Sequence, residues 1–224
     1  MGWFKQLMGL EAPNANNSSN RTAGANLPAE GPLGLASGKG VVFDTTLKLL
    51  LDGNSAVIIP GAQEIWSLGI VDLGQSNWLT RCYMNDEDYW LQVHTSGAVA
   101  GQVESVILFN YLSYVTLNSE AELRRLAGPD SLIGLPTYTH NGVEYTREWG
   151  TEPGQTELVG LSESLTNPDE SYSIEHRSML YARDTGLTDR REFLLFSVEE
   201  DAEGSVSLST SLGISLYTTD LNVI

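Results

Sequence analysis

The side chains best suited to chemistry in this sequence are three histidines and one cysteine. None of His94, His140 and His176 is two or four residues from another histidine or from Cys82, so the spacing of a metal site is absent. Cys82 lies in a predicted strand, which favours a packing role over the exposed, electropositive site that a nucleophilic thiolate needs. We therefore predict no catalytic residue, no metal site and no cofactor.

Two acidic runs contain oxygen ligands of the kind that bind Ca²⁺ or Mg²⁺. They occupy residues 85–88 and 199–203, each where a hairpin is expected to turn. Neither run has the spacing of the EF-hand calcium loop, with its glycine and terminal glutamate. We interpret both runs as solvated loop tips.

A cluster of aromatic and cationic side chains is the best candidate for a binding face on the folded body. The Asn-Gly pair at 141–142 predicts a type I′ hairpin turn, because both residues tolerate positive φ, and this turn pairs Tyr138 with Tyr145. Alternation along the second strand then places Tyr145, Arg147 and Trp149 on one face. Such a face binds a ligand or a partner, or it is a cross-strand aromatic ladder that only packs. The sequence leaves both interpretations open.

The elements that must position these side chains are mostly β-strands. Short β-branched and aromatic runs, separated by turn signals, recur from about residue 34 onward. Leu47 to Leu51 resembles a strand that leads into the Asp52-Gly53 turn, and Val103 to Leu117 is long enough for one bent strand or two.

One helix interrupts the strands, and the last strand has the clearest pattern. Ser119 to Glu122 forms a capping box and Gly128 follows the last turn, so we predict a helix at 119–127. In the last strand, from 206 to 216, apolar residues alternate with serines, which predicts one face on a core and one in water. The predicted fold is mostly β, an antiparallel sandwich or partly open barrel with one internal α-helix. It covers residues 34–224, with two lobes around the helix as an open alternative.

The N-terminal part differs from this body. Residues 1–10 predict a short amphipathic helix, and residues 11–33, rich in Asn, Ser, Ala, Gly and Pro, predict a flexible linker. We predict that the apolar face of the helix binds a membrane or a partner protein. The residues of that face are Trp3, Phe4, Leu7, Met8 and Leu10. Packing of this segment against its own domain is the competing interpretation.

Charge and composition exclude several classes of function. The net charge is −17, from 29 acidic against 12 basic side chains, and this argues against nucleic-acid binding, which depends on cations along the phosphates. The single cysteine rules out an intramolecular disulfide. No window reaches the roughly 20 apolar residues that span a bilayer, and no secretory signal is evident. We expect a cytoplasmic protein, either free or peripheral to the inner membrane, and leave its oligomeric state open.

Five stretches, taken in order, carry a family resemblance. They are MGWFKQLMGL, GPLGL at 31–35, GKGVVFDTT at 38–46, VDLG at 71–74 and WLQVHTSG at 90–97. Together they resemble the YjfK-like proteins, a bacterial family of unknown function, over most of the chain. Genes of that family tend to lie beside genes for a phage-shock-protein-A-like coiled coil, small membrane proteins and ATP-grasp enzymes that resemble glutathionylspermidine synthase. The resemblance implies an accessory protein in a membrane-stress or polyamine-linked system, and it supplies no catalytic residues.

Two functions remain after these exclusions. The first is a non-enzymatic interaction module, tethered by residues 1–10 to a membrane or to a coiled-coil partner of the phage-shock-protein-A type. The second is a binder or modifying enzyme for a cationic small molecule such as a polyamine, for which a cup of carboxylates and aromatic rings would be suitable.

The first prediction concerns residues 1–10 and is tested by flotation on liposomes. If this segment binds membranes, full-length protein floats with neutral and anionic vesicles, because burial of its apolar face is favourable. A version that lacks residues 1–10 then stays at the bottom of the gradient. Failure of both proteins to float would exclude direct membrane binding and leave a protein partner or the protein's own body.

Overall fold

The structure is a computed structural model that describes residues 28–200 and 204–224. The predicted amphipathic helix at residues 1–10, with its proposed binding face, lies outside the described residues. Most of the predicted linker at 11–33 and part of the second acidic run also lie outside them.

Most of the described chain forms β-strands. In chain order the strands are β1 (Gly40–Phe43), β2 (Gln63–Gly74), β3 (Asn77–Met84), β4 (Tyr89–Ser96), β5 (Gln102–Leu117), β6 (Thr137–His140), β7 (Val143–Arg147), β8 (Val159–Thr166), β9 (Ser171–Asp184), β10 (Arg191–Glu200), β11 (Val206–Leu216) and β12 (Leu221–Val223). The helices are α1 (Leu47–Leu51) and α2 (Glu120–Ala127), and 3₁₀ turns occur at Pro32–Gly34 and Thr218–Asp220. None of the helices in this part of the chain has the length and apolar character needed to cross a membrane.

Eight strands close an antiparallel barrel in the order β2-β3-β4-β5-β11-β10-β9-β8 and back to β2. β8 completes the closure, since its residues 163–166 pair with 71–68 of β2 while its whole length pairs with β9. The predicted mostly antiparallel β fold is confirmed. The sheet is a closed barrel rather than a sandwich or a partly open barrel, because both edges of β8 find partners. Strands from before and after α2 build this one barrel.

Four further strands extend the sheet beyond the barrel. β1 pairs with the first residues of β2 on one side and with β12 on the other. The hairpin of β6 and β7 joins the end of β9 through Thr146 and Arg147. Its turn has positive φ at Asn141 and Gly142, and Tyr138 pairs with Tyr145, as the Asn-Gly signal predicted.

Both faces of the barrel are buried over most of its surface. On the inner face Trp90 stacks on Phe109 with their ring centroids 4.2 Å apart. On the outer face Leu91 and Leu108 are fully buried and belong to one hydrophobic cluster with Leu35 and other residues of the segment that precedes β2. That segment therefore acts as a cover for the outside of the barrel.

This double burial corrects the expectation for the last strand. The predicted water-facing serines of β11 are buried; Ser207, Ser209 and Ser211 are 5 %, 3 % and 2 % exposed. They share the inner face of the sheet with Trp90, whose Nε1 donates to Ser211 Oγ at 3.4 Å. In a closed barrel the second face of a strand points into the lumen and not into bulk water. The predicted alternation of the two faces is therefore confirmed, but the prediction that the serines face water is wrong.

The two helices differ in how well the sequence predicted them. α2 has the predicted cap, since Ser119 Oγ accepts a bond from Glu122 N, while Glu122 Oε2 reaches Asn118 N at 2.8 Å. The predicted strand at Leu47 to Leu51 is instead α1, with its first and last leucines buried at i, i+4 spacing. Leucine and lysine, which make up all five residues, have good helix propensity. Because four of the five residues are leucines, the sequence shows no clear helical spacing of apolar and polar positions.

The second prediction tests the packing of the lumen with Gly213→Ala. A Cβ at Gly213 would lie 2.6 Å from the ring of Phe109, and overpacking of this kind costs about 1–3 kcal/mol of unfolding free energy. Gly160→Ala is the matched control, because a Cβ at that strand position meets no atom within 4 Å. Urea denaturation measures both. Equal stabilities of the two variants would contradict the described contact between Gly213 and Phe109.

Candidate functional site

A buried carboxylate lies at the centre of the lumen. Glu163 lies on the inner face of β8 and is 0 % exposed. Its side chain extends over Gly69 of β2, where any Cβ would overlap the carboxylate. The glycine thus provides the space through which Glu163 reaches strands that are not its direct neighbours.

Two side chains donate hydrogen bonds to this carboxylate, and a third lies close beside it. Arg81 Nη1 donates to Glu163 Oε2 at 2.7 Å, Tyr83 OH donates to Oε1 at 2.9 Å, and His176 Nε2 lies 2.9 Å from Oε2. Burial by itself would raise the pKa of Glu163, but the Arg81 guanidinium and His176 outweigh it and lower that pKa to about 2. Glu163 therefore stays ionised in the folded protein at neutral pH.

The network continues from His176 into a chain of serines. His176 Nδ1 lies 3.2 Å from Ser197 Oγ, and Ser178 Oγ lies 2.9 Å from Ser197 Oγ. Glu199 Oε1 accepts a bond from Ser209 Oγ at 2.8 Å and lies 3.7 Å from His176 Nδ1. The lumen thus carries a polar network between β3 on one side and β11 on the other.

The order Glu163, His176, Ser197 matches the connectivity of a hydrolytic triad, in which a carboxylate orients a histidine that activates a serine. Such a serine must meet a substrate carbonyl and an oxyanion-stabilising donor. Ser197 is 4 % exposed, and Ser178 beside it is 0 % exposed. With the hydroxyl enclosed in this way, we interpret the arrangement as the polar core of the barrel.

The other residues considered for chemistry lie apart. His94 is buried with its Nε2 3.1 Å from Asn77 Oδ1, and His140 lies on the β6–β7 hairpin. Cys82 is fully buried on the outer face, and burial, together with the charge of Glu163, raises the pKa of its thiol. Among residues 28–200 and 204–224 no three histidine, cysteine or acidic side chains are grouped as metal ligands.

The predicted binding face on the β6–β7 hairpin is largely turned inward. Tyr145 is 2 % exposed and donates its hydroxyl to Glu192 Oε1 at 2.6 Å, while Tyr138 packs against Phe196 with ring centroids 4.8 Å apart. Trp149 is 5 % exposed. Of these three residues, only Tyr138 is partly accessible to solvent.

Arg147, the fourth member of this face, joins two loops. It is 5 % exposed and donates to the carbonyl oxygens of Gly134, Glu152 and Gly154. The hairpin face is thus occupied mainly by contacts of the protein with itself. Ligand or partner binding by this face stays a prediction.

One strand edge lacks a strand partner in the described part of the chain, and the sequence patterns did not indicate it. β4 begins at Tyr89, opposite Asn110, so β5 has lost its partner on that side after the bond from Tyr111 N to Asp88 O. β5 nevertheless continues to Leu117, paired on its other side with β11 through a bulge opposite Thr210. Residues 112–116 of β5 therefore expose one backbone edge.

This edge carries apolar side chains that face solvent. Leu112 is 40 % exposed, Tyr114 is 65 % exposed and Val115 is 43 % exposed. The signal in the sequence was the length of the Val103 to Leu117 run, which exceeds that of every neighbouring strand pattern. A strand longer than its neighbour must extend beyond it.

Comparison with known proteins gives a family but no activity. A family model described as "Protein of unknown function (DUF2491)" matches residues 3–222. The "Uncharacterized protein YjfK" of Escherichia coli (strain K12) is 26% identical over 231 residues, which cover 100% of this chain and 99% of that protein. No solved structure matches the chain.

The third prediction concerns Glu163 and pH. The pKa of Glu163 is lowered from 4.5 to about 2 by folding, so the stability it contributes is present above pH 4.5 and is lost as pH falls towards 2. We expect Glu163→Gln to be less stable than wild type by roughly 3 kcal/mol near pH 7. Most of that difference should disappear by about pH 2, as measured by urea denaturation across the range.

A matched control separates this effect from general acid denaturation. Glu157→Gln removes an exposed carboxylate and should leave the stability unchanged at every pH. A difference between wild type and Glu163→Gln that does not vary with pH would contradict the ionised state assigned to Glu163.

Proposed function

The chain belongs to the DUF2491 family of proteins of unknown function, and we propose that it is a non-enzymatic protein-interaction module whose binding surface is the free edge of β5. The observation that carries this proposal is the run of residues 112–116, which has a strand partner on one side only among the residues that the structure describes. Backbone N–H and C=O groups on such an edge are a template for another strand. Partners that bind in this way add an extended segment to the sheet.

The character of this edge supports the proposal. Proteins commonly protect an edge strand by making it short, by charging it or by placing proline in it. β6 and β12, which end the sheet, have four and three residues. By contrast, the overhang of β5 reads Leu-Ser-Tyr-Val-Thr, without a charge or a proline. Its β-branched and aromatic residues favour strand pairing.

The side chains of the overhang would contribute to both faces of an added strand. Tyr114 and Val115 are neighbours in the regular part of β5, opposite Ser209 and Leu208 of β11, so they lie on opposite faces of the sheet. An added strand would bury an aromatic ring on one face and an aliphatic side chain on the other. Cross-strand pairs of this kind each contribute roughly 0.2–1 kcal/mol.

The alternative, a binder or modifying enzyme for a cationic small molecule, has less support. It requires a concave site with converging, unpaired carboxylates. Two depressions of the described surface, about 360 Å³ beside Glu104 and about 320 Å³ beside Glu152, contain one acidic residue each. Glu163, the buried carboxylate, is already paired with Arg81.

The predicted segment at residues 1–10 fits this proposal as a second point of attachment. Its apolar residues would hold the protein on a membrane or on a coiled-coil partner, and the β5 edge would then bind a segment close to that site. The two contacts together would give a tighter association than either gives alone.

The fourth prediction tests the edge with Tyr114→Lys combined with Val115→Lys. Linear peptides selected for binding to wild-type protein should bind this double variant at least about tenfold more weakly, because charged side chains protect an edge against pairing. Fluorescence anisotropy gives the affinities, and amide hydrogen exchange should show slower exchange at residues 111–117 on binding.

The control variant for this test is Leu132→Lys, which places the same charge on another exposed apolar residue, 65 % exposed in the structure. It should bind the peptides as wild type does. Peptides that bind all three proteins equally, with no change in exchange at 111–117, would exclude the β5 edge as the binding surface.

A further inference from the structure

We infer that the partner segment accepted by the β5 edge is an extended peptide with basic residues at both of its ends. This inference rests on the proposed function and specifies its partner. It follows from the distribution of charge along the edge, which is uncharged in its middle and acidic at each end.

The first acidic end is the β3–β4 turn. Asp86, Glu87 and Asp88 are exposed there, and the carbonyl of Asp88 accepts the last β4-side bond, from Tyr111 N at 2.9 Å. The free edge begins at the next residue. The pKa of Tyr89 is raised mainly by its partial burial and further by the carboxylates of Asp86 and Asp88. Both carboxylates therefore lie near Tyr89, the residue at which β4 begins and beyond which β5 is unpaired on that side in the described part of the chain.

The second acidic end is the start of α2. β5 ends at Leu117, and α2 begins three residues later with Glu120 and Glu122, both exposed or partly so. The two basic residues of this helix, Arg124 and Arg125, follow in its last turn, and Arg124 lies 3.4 Å from Asp130. The first turn, which is the part of α2 nearest to β5 in the chain, therefore places negative charge at the far end of the overhang.

The spacing of the two ends determines the kind of segment that fits. Five strand residues span roughly 17 Å, which exceeds the screening length of about 8 Å at physiological salt. One cation therefore cannot compensate both acidic ends. A segment with a short uncharged core and basic residues on each side would place a cation beside each of them.

The same charges oppose pairing with a second copy of this chain. If two copies joined antiparallel through residues 112–116, the β3–β4 turn of one would meet the start of α2 of the other. If they joined parallel, turn would meet turn and helix would meet helix. Either arrangement sets acidic groups against each other, which disfavours the pair, and the net charge of −17 adds to the repulsion.

The test uses three synthetic peptides that share the core Val-Thr-Val-Thr-Val and carry two lysines, two glutamines or two glutamates at each end. Full-length protein is titrated against each labelled peptide by fluorescence anisotropy. We expect the lysine peptide to bind at least about tenfold more tightly than the glutamine peptide, and the glutamate peptide more weakly still. The advantage should shrink between roughly 50 and 300 mM NaCl.

Two further measurements separate edge pairing from adsorption to an acidic protein. A lysine peptide with N-methylated core amides cannot donate to the edge and should lose binding. Glu87→Gln combined with Glu120→Gln removes one charge from each end and should reduce the preference for lysine over glutamine. Glu144→Gln combined with Glu157→Gln, an equal change on exposed residues elsewhere, should not.

Each outcome bears on one claim. If the lysine and glutamine peptides bind equally and Tyr114→Lys/Val115→Lys weakens both, the charge inference is wrong while the edge remains a binding surface. If the double variant weakens none of them, the proposed function itself fails. Binding of the N-methylated peptide would overturn the inference as adsorption. Dimers in sedimentation that the double variant separates would identify a second copy as the occupant.

Discussion

The position of β8 depends on one buried carboxylate. Glu163 enters the lumen without access to water, which would be very costly without compensation. Arg81 and Tyr83 of β3 and His176 of β9 provide that compensation. A slip of β8 by one residue would replace Glu163 in the lumen with a serine and expose the carboxylate on the outer face. The ionic network thus fixes the register of the strand that closes the barrel.

Closure explains most of the remaining organisation. Once both edges of β8 are paired, the sheet has an inside and an outside, and both become core. The inside combines the Trp90–Phe109 stack with the serines of β11 and the Glu163 network. The outside is covered by the segment before β2, and Glu192 connects that cover to the hairpin, since it accepts bonds from Ser55, Ala56 and Tyr145.

The surface proposed for function is the part of β5 that extends beyond its neighbour β4 in the closed barrel. β5 has sixteen residues and β4 has eight, so within residues 28–200 and 204–224 the last part of β5 has no neighbouring strand on that side. The barrel satisfies the backbone of its paired strands and leaves this overhang as a place where a further strand can add. Its uncharged middle and acidic ends distinguish it from the short outer strands, and this distinction defines the class of partner that we propose.

The sequence by itself determined the features that depend on neighbouring residues. Alternation predicted antiparallel strands, the Asn-Gly pair predicted the pairing of Tyr138 with Tyr145, and Ser119 with Glu122 predicted the start of α2. These signals act within a few residues along the chain, so composition and spacing are sufficient to read them.

Only the tertiary structure decided what each strand face meets. Contacts between residues far apart in sequence decide whether the serines of β11 face water and whether Glu163 is paired. They also decide whether β5 extends beyond β4. For example, Arg81 and Glu163 are separated by 82 positions. Closure of the barrel brings such residues together, and no local pattern encodes which strands become neighbours when they are far apart in the chain.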